Sequence, residues 1–224
     1  MASKICKGVT KGRVLVVHSD AINPDVPMIP TPTTTEVKKL PDRAISTDVR
    51  IICDLRLANM FRDRADYADI HLTDINEIAL RAVTIKRTWP NVKVVCCKRD
   101  IDAAFKRVRT HPDMCVLLCT EFSGEFFDVA GNIFFLYLTL PFGWRGIPAY
   151  FSCVVRGVSV AQKNFAPANK LRDGPQDMCS LLFAGDAIFV EPRAGRSPGE
   201  CVACWESIRR ELLGGDALNA DKLM

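Results

Sequence analysis

No run of about 18 consecutive apolar residues occurs in the 224-residue chain, so no membrane-spanning helix is expected. A signal-peptide core is missing too. The N-terminal stretch "MASKICKGVTKGRVLVVHSD" holds only the short apolar run Val14–Val17. An intracellular protein, cytoplasmic or nuclear, is therefore expected. A second CxxC is missing: Cys201 and Cys204 form the single pair, and nothing stands at zinc-site spacing from it. Strong net charge is lacking as well, at +4, which favours polyanionic partners only mildly. There is no internal repeat.

What is present is a chain that is 48% hydrophobic and 25% charged, enough for one sizeable core or two small lobes. It has ten cysteines, most of them inside apolar runs such as "VVCCK" and "CVLLC", where they read as small buried hydrophobes. The alternative is a small cysteine-based metal module, with His111, Cys115 and Cys119 as ligands. Residues 20–42, "DAINPDVPMIPTPTTTEVKKLPD", combine spaced prolines with a Thr run and read as extended or mobile. The expected division is thus an extended or mobile segment over 1–44 and a folded region over 45–224.

Residues 74–89 carry the clearest helical pattern. Ile75, Ile78, Ala79, Ala82, Ile85 and Trp89 recur at spacings of three and four, Asp74 and Glu77 suit a capped start, and Pro90 stops the run. "VKVVCC" (92–97) is apolar at successive positions and reads as a strand inside a sheet. "RDIDAAFKRVRT" leads from it into a short helix. "MCVLLCTEF" and "IFFLYLTL" read as strands, with Gly124 and Gly131–Asn132 as turn signals. Residues 148–162 read as a helix opened by Pro148, with Tyr150, Cys153, Val154, Gly157, Val158 and Ala161 along one side. "LLFAGDAIFV" (181–190) reads as a hairpin with Asp186 at its tip. A last amphipathic helix carries Cys201, Cys204, Trp205, Ile208 and Leu212. This order suggests an α+β fold with an antiparallel sheet backed by helices.

Two carboxylates stand out. Asp100 ends a buried-looking strand and Asp186 sits at a hairpin turn. Each alone suits an ordinary cap or turn. Together, at the ends of neighbouring strands, they suit Mg²⁺, which takes carboxylate and phosphate oxygens. "LPFGWRGIPAYF" lies between them, with a Pro and glycines that let backbone approach another group closely.

These blocks, in this order, resemble the fingers and palm of reverse transcriptases of retroelement polyproteins, over roughly residues 45–224. "RIICDLRLAN" resembles the fingers motif, "RDIDAAF" the first palm motif, "LPFGWRGIPAYF" the template- and nucleotide-contacting turn, and "FAGDAIFV" the aromatic-x-Asp-Asp hairpin. "GGDALNADK" resembles the motif that follows. The resemblance implies a right-hand polymerase fingers–palm with no thumb, and two Mg²⁺ ions at Asp100, Ile101 and Asp186. Nucleotide contacts would fall at Arg50, Phe105, Phe142, Gly143 and Lys222, with Asp100 and Asp186 catalytic. Phe105 takes the place of the aromatic ring that excludes a 2′-hydroxyl, and Lys222 the place near the leaving pyrophosphate.

The hairpin departs from the family. Where the pattern has two Asp residues, this chain has Gly185 and then Asp186. A side chain that would hold both ions is missing, and neither Glu191 nor Asp102 is expected to replace it. The expected partners are an RNA or DNA primer–template and deoxynucleotides, with Arg50, Lys98, Arg99, Lys106 and Arg107 as candidate phosphate contacts. The expected function is template-directed DNA synthesis by phosphoryl transfer, impaired at Gly185. A non-catalytic nucleic-acid-binding remnant is the alternative.

Overall fold

The structure is a computed structural model that describes residues 2–39, 45–61, 63–70, 72–165, 180–183, 185–194 and 197–218. Lys222 and Cys179 lie outside them. The chain is a mixed α+β protein with small antiparallel sheets and, among the described residues, five α-helices. It divides into two compact units, one formed by Met1–Tyr67 with Val108–Ile147, the other by Ala68–Arg107 with Pro148–Met224.

The first unit begins with helix α1 (Ala2–Thr10) and strand β1 (Val14–His18). A hairpin follows, β2 (Thr33–Lys39) against β3 (Ile45–Cys53), and then the short helix α2 (Arg56–Met60). Thus the segment read as extended or mobile contains a helix and two strands. The Thr run that looked like linker is β2: β-branched residues suit a pleated strand, and β3 supplies its hydrogen-bonding partner. The proline-rich stretch before it is tied down by backbone bonds from Ile29 to Val116 and from Thr31 to Cys119.

The second unit starts with helix α3 (Ile75–Thr88), where the Asp74 side chain accepts from the Glu77 amide at 2.9 Å, as the spacing predicts. Only Ile85 of the expected apolar face is fully buried, and Ile75 is exposed. Strand β4 (Val94–Asp100) follows. Back in the first unit, β5 (Cys119–Ser123) and β6 (Asn132–Tyr137) form the sheet β1-β6-β5, with a T-shaped cluster of Phe122, Phe127 and Phe135.

Helix α4 (Ile147–Phe165) runs into the second unit, as the Pro148 signal predicts. Its buried stripe is Phe151, Val155, Val158 and Gln162, whereas Tyr150 and Cys153 from the expected side are exposed. The helix is apolar on more than one side, so periodicity alone leaves its rotation open. Strands β7 (Ser180–Phe183) and β8 (Asp186–Pro192) form the expected hairpin, and helix α5 (Ser197–Leu213) follows.

The sheet order is β4-β8-β7. Among the described residues strand β4 therefore lies at an edge rather than inside, and β8 is the central, buried strand. Its Ala187, Phe189 and Glu191 share a face. There Phe189 meets Trp205 of α5 edge-to-face at 5.7 Å, and Cys201 of α5 reaches Glu191. The other face carries Asp186. No helix among the described residues is long and apolar enough to cross a membrane.

Candidate functional site

The register places Asp100 directly opposite Asp186, at the last residue of β4 and the first of β8. Directly paired residues share a face of the sheet, with Cα atoms about 5 Å apart. Gly185 lies in the hairpin turn, because Phe183 pairs with Asp186. Asp186 is thus the first strand residue after the turn. Beyond Asp100 the chain folds against the turn, where the Ile101 amide donates to the Gly185 carbonyl at 2.8 Å.

Gly185 does not have a left-handed φ. A Cβ built there stands 3.3 Å from the Ala104 Cβ and 3.9 Å from the Ile101 carbonyl oxygen. The position accepts an L-residue once Ala104 yields by a few tenths of an ångström, and its side chain starts beside Ile101 and Ala104. The unusual backbone lies across from it, at Ala103 (φ 51°). A non-glycine residue in that region stores strain, a feature that clusters at functional sites.

Phe105, in the 3-10 turn Ala104–Arg107, packs edge-to-face on the buried Phe151 of α4, with centroids 5.1 Å apart. The expected short helix is this single turn. Arg107 holds the region together. It donates to the Asp102 carbonyl at 3.0 Å and the Asp216 carbonyl at 2.7 Å, and it pairs with both carboxylates. The Asp102 amide in turn donates to the Ala217 carbonyl, so the "GGDAL" segment is laced to the turn after β4.

These contacts bear on the cations expected to meet phosphate. Arg107 has a side chain only 7% exposed. Arg99 pairs with Glu206 at 2.9 Å, and Lys98 pairs with Asp186 at 2.8 Å. All three face carboxylates of their own chain, while Lys106 is exposed. Substitution of the missing ligand is also closed off. Asp102 is engaged by Arg107, and Glu191 is 1% exposed and bound to Arg81 at 2.5 Å, about 17 Å along β8 from Asp186.

The remaining candidates belong to the first unit. Arg50 lies in β3 with its Cα opposite Glu36. Gly143 has φ +111°, and a Cβ there would stand 2.3 Å from the Cys53 carbonyl oxygen. Its close approach is to the protein's own backbone. The Asn59 side chain clamps this turn, donating to the Gly143 carbonyl at 2.9 Å and accepting from the Arg145 amide at 2.8 Å. Phe142 beside it is 42% exposed. Asn59 does not show in the sequence pattern, and Arg107 shows there only as one of the cations expected to meet phosphate. The Gly143 and Arg145 partners of Asn59 and the Asp216 partner of Arg107 lie more than 80 residues away, and no local spacing announces them.

The nine described cysteines are free thiols. Burial pushes Cys97 and Cys204 up and Cys119 up to about 11, away from the thiolate that binds metal. Among the described residues no group of three or more His, Cys, Asp or Glu is placed to hold a metal ion. The two-ion arrangement implied by the resemblance does not fit the residues present. Gly185 offers no side chain, Lys98 takes Oδ2 of Asp186, and Oδ1 is enclosed by protein with no hydrogen-bond donor among the described residues.

The chain matches no protein-family model and no curated protein.

Proposed function

We propose that this chain has a reverse-transcriptase-like fingers–palm arrangement whose template-directed DNA synthesis is impaired at the catalytic hairpin. The observation that carries the reading is the pairing of Asp100 with Asp186 at the ends of two adjacent antiparallel strands. Helices α3 and α5 supply contacts to β8 through Arg81, Cys201 and Trp205, and Phe105 stands five residues beyond Asp100. The partners are a primer–template and deoxynucleotides. Where two divalent ions serve such chemistry, they stabilise charge on the attacking and leaving oxygens. The ligand set here is incomplete, and losing that stabilisation is expected to lower the rate by about three orders of magnitude or more.

The test is primer extension and duplex binding by the purified chain. Binding that weakens as salt rises, with incorporation near background and a measurable rise in Gly185→Asp, supports the reading. A chain that ignores primer–template at low salt ends it.

A non-catalytic nucleic-acid-binding role is the second reading. It is favoured by Lys86, Arg87, Lys93 and Arg193, which line clefts on either side of the start of β4, away from the acidic end. Replacing Arg87, Lys93 and Arg193 with Ala should then weaken binding and flatten its salt dependence.

A further inference from the structure

Lys98 stands two residues before Asp100, so both side chains leave β4 on the same face. Asp186 faces Asp100 across the ladder, and Lys98 is opposite Ile188. From there the Lys98 ammonium reaches diagonally to Asp186 Oδ2 at 2.8 Å. The two side chains are only 35% and 26% exposed, so solvent ions screen the pair less than an open surface pair. Asp186 Oδ1 is enclosed and without a donor. Among the described residues, Lys98 is thus the cation seen bonded to Asp186.

We propose that Lys98 is the resident cation of this acidic turn. Its ammonium takes the place beside Asp186 that a divalent ion would need, so that Gly185 and Lys98 together make a lysine–carboxylate pair of what would otherwise be a divalent-cation site. An ammonium donates and cannot ligate, so it offers a metal nothing. It repels a second cation brought within a few ångströms of it. A small divalent ion sheds its water reluctantly and needs several oxygens held around it. Here it would meet a carboxylate already neutralised and a glycine where another carboxylate is needed. Restoring Asp at position 185 supplies an oxygen ligand beside the Ile101 carbonyl and leaves the ammonium in place. Replacing Lys98 removes the competing charge and leaves the ligand set short. Tight binding requires both changes. The inference rests on the polymerase reading for where a divalent ion would sit and on the ion pair for what sits there instead.

The experiment is calorimetric titration of the full chain with Mn²⁺, for the native protein, Lys98→Met, Gly185→Asp and the double variant. Thermal unfolding confirms that each is folded. The native chain and Lys98→Met should show no saturable binding in the millimolar range. The double variant should bind at least about tenfold more tightly than Gly185→Asp alone, since a full positive charge has been removed next to the ion. Lys98→Arg with Gly185→Asp keeps the cation and should behave like Gly185→Asp. Equal affinity of Gly185→Asp and the double variant overturns the proposal. A second measurement needs no variant. Paramagnetic broadening by Mn²⁺ should spare the native amides of Ile101, Gly185 and Asp186, and broadening centred on them overturns the proposal. Primer extension separates this inference from the function proposed above. A double variant that binds Mn²⁺ without incorporating nucleotide supports the ion-pair inference and counts against the polymerase reading.

Discussion

The two ends of strand β8 each carry a carboxylate held by a cation, and they differ in almost everything else. At the start, Asp186 meets Lys98 with both side chains about a third or a quarter exposed. At the far end, Glu191 is 1% exposed and meets Arg81, itself 13% exposed. The buried end is elaborated by further bonds. Arg81 Nε donates to the Val190 carbonyl at 2.7 Å, Cys201 Sγ donates to Glu191, and Gln162 Nε2 donates to the Cys201 carbonyl at 3.0 Å. Helices α3, α4 and α5 all contribute to that network. The difference teaches where the sheet is held and where it is open. A charge inside the core must be paired, and its partner is part of the fold. A charge at a half-open strand end can exchange partners, and that is where chemistry or an ion has room.

The comparison breaks most decisively at the buried end. Arg81→Met should take from the buried Glu191 carboxylate the guanidinium that faces it and lower stability by about 3–5 kcal/mol. Denaturant unfolding measures it. Adding Glu191→Gln to that variant should recover part of the loss, because the stranded charge is then gone.

Arg107 is an intermediate case, buried itself but paired with the more exposed carboxylates of Asp102 and Asp216. Those carboxylates can turn to water when Arg107→Ala is made. The expected cost is about 2 kcal/mol, chiefly from the carbonyls of Asp102 and Asp216 that lose their donors. Amide hydrogen exchange should rise first in the 214–218 segment.

The first unit supplies a contrast in pH. Burial holds Tyr137 and Cys119 protonated, with Cys119 pushed up from an ordinary thiol value to about 11. A folded pKa raised above the unfolded one gives stability that is complete below the unfolded pKa and lost as pH rises through the folded one. Stability should therefore be level through neutral pH and fall from about pH 9 upward. Cys119→Ala, compared with the native chain at neutral and alkaline pH, should show a smaller alkaline loss. An equal loss would assign the effect elsewhere.

The smallest effect belongs to the open end. Lys98→Met should change stability by less than about 1 kcal/mol, since a partly exposed pair contributes little and Asp186 can be hydrated. A loss as large as that of Arg81→Met would erase the contrast between the two ends.

Local chemistry made much of this legible in advance. The Asp74 cap and the Pro148 start of α4 are short-range signals, satisfied within a few residues of where they are written. The hairpin is legible too, but Asp186, read at its tip, is the first residue of β8. The absence of a side chain at position 185 is likewise a fact of sequence. The wrong readings share a cause. The Thr run became a strand because β3 hydrogen-bonds to it, β4 lies at an edge because β8 takes the centre, and the buried side of α4 is chosen by what packs against it. Each depends on a distant partner. The partners of the cations near the site are hidden for the same reason. Lys98, Arg99 and Arg107 are plain basic residues in the sequence. Only the folded chain brings Asp186, Glu206 and Asp216 within reach of them, because contacts across some 90 to 110 residues are made by packing and not by spacing.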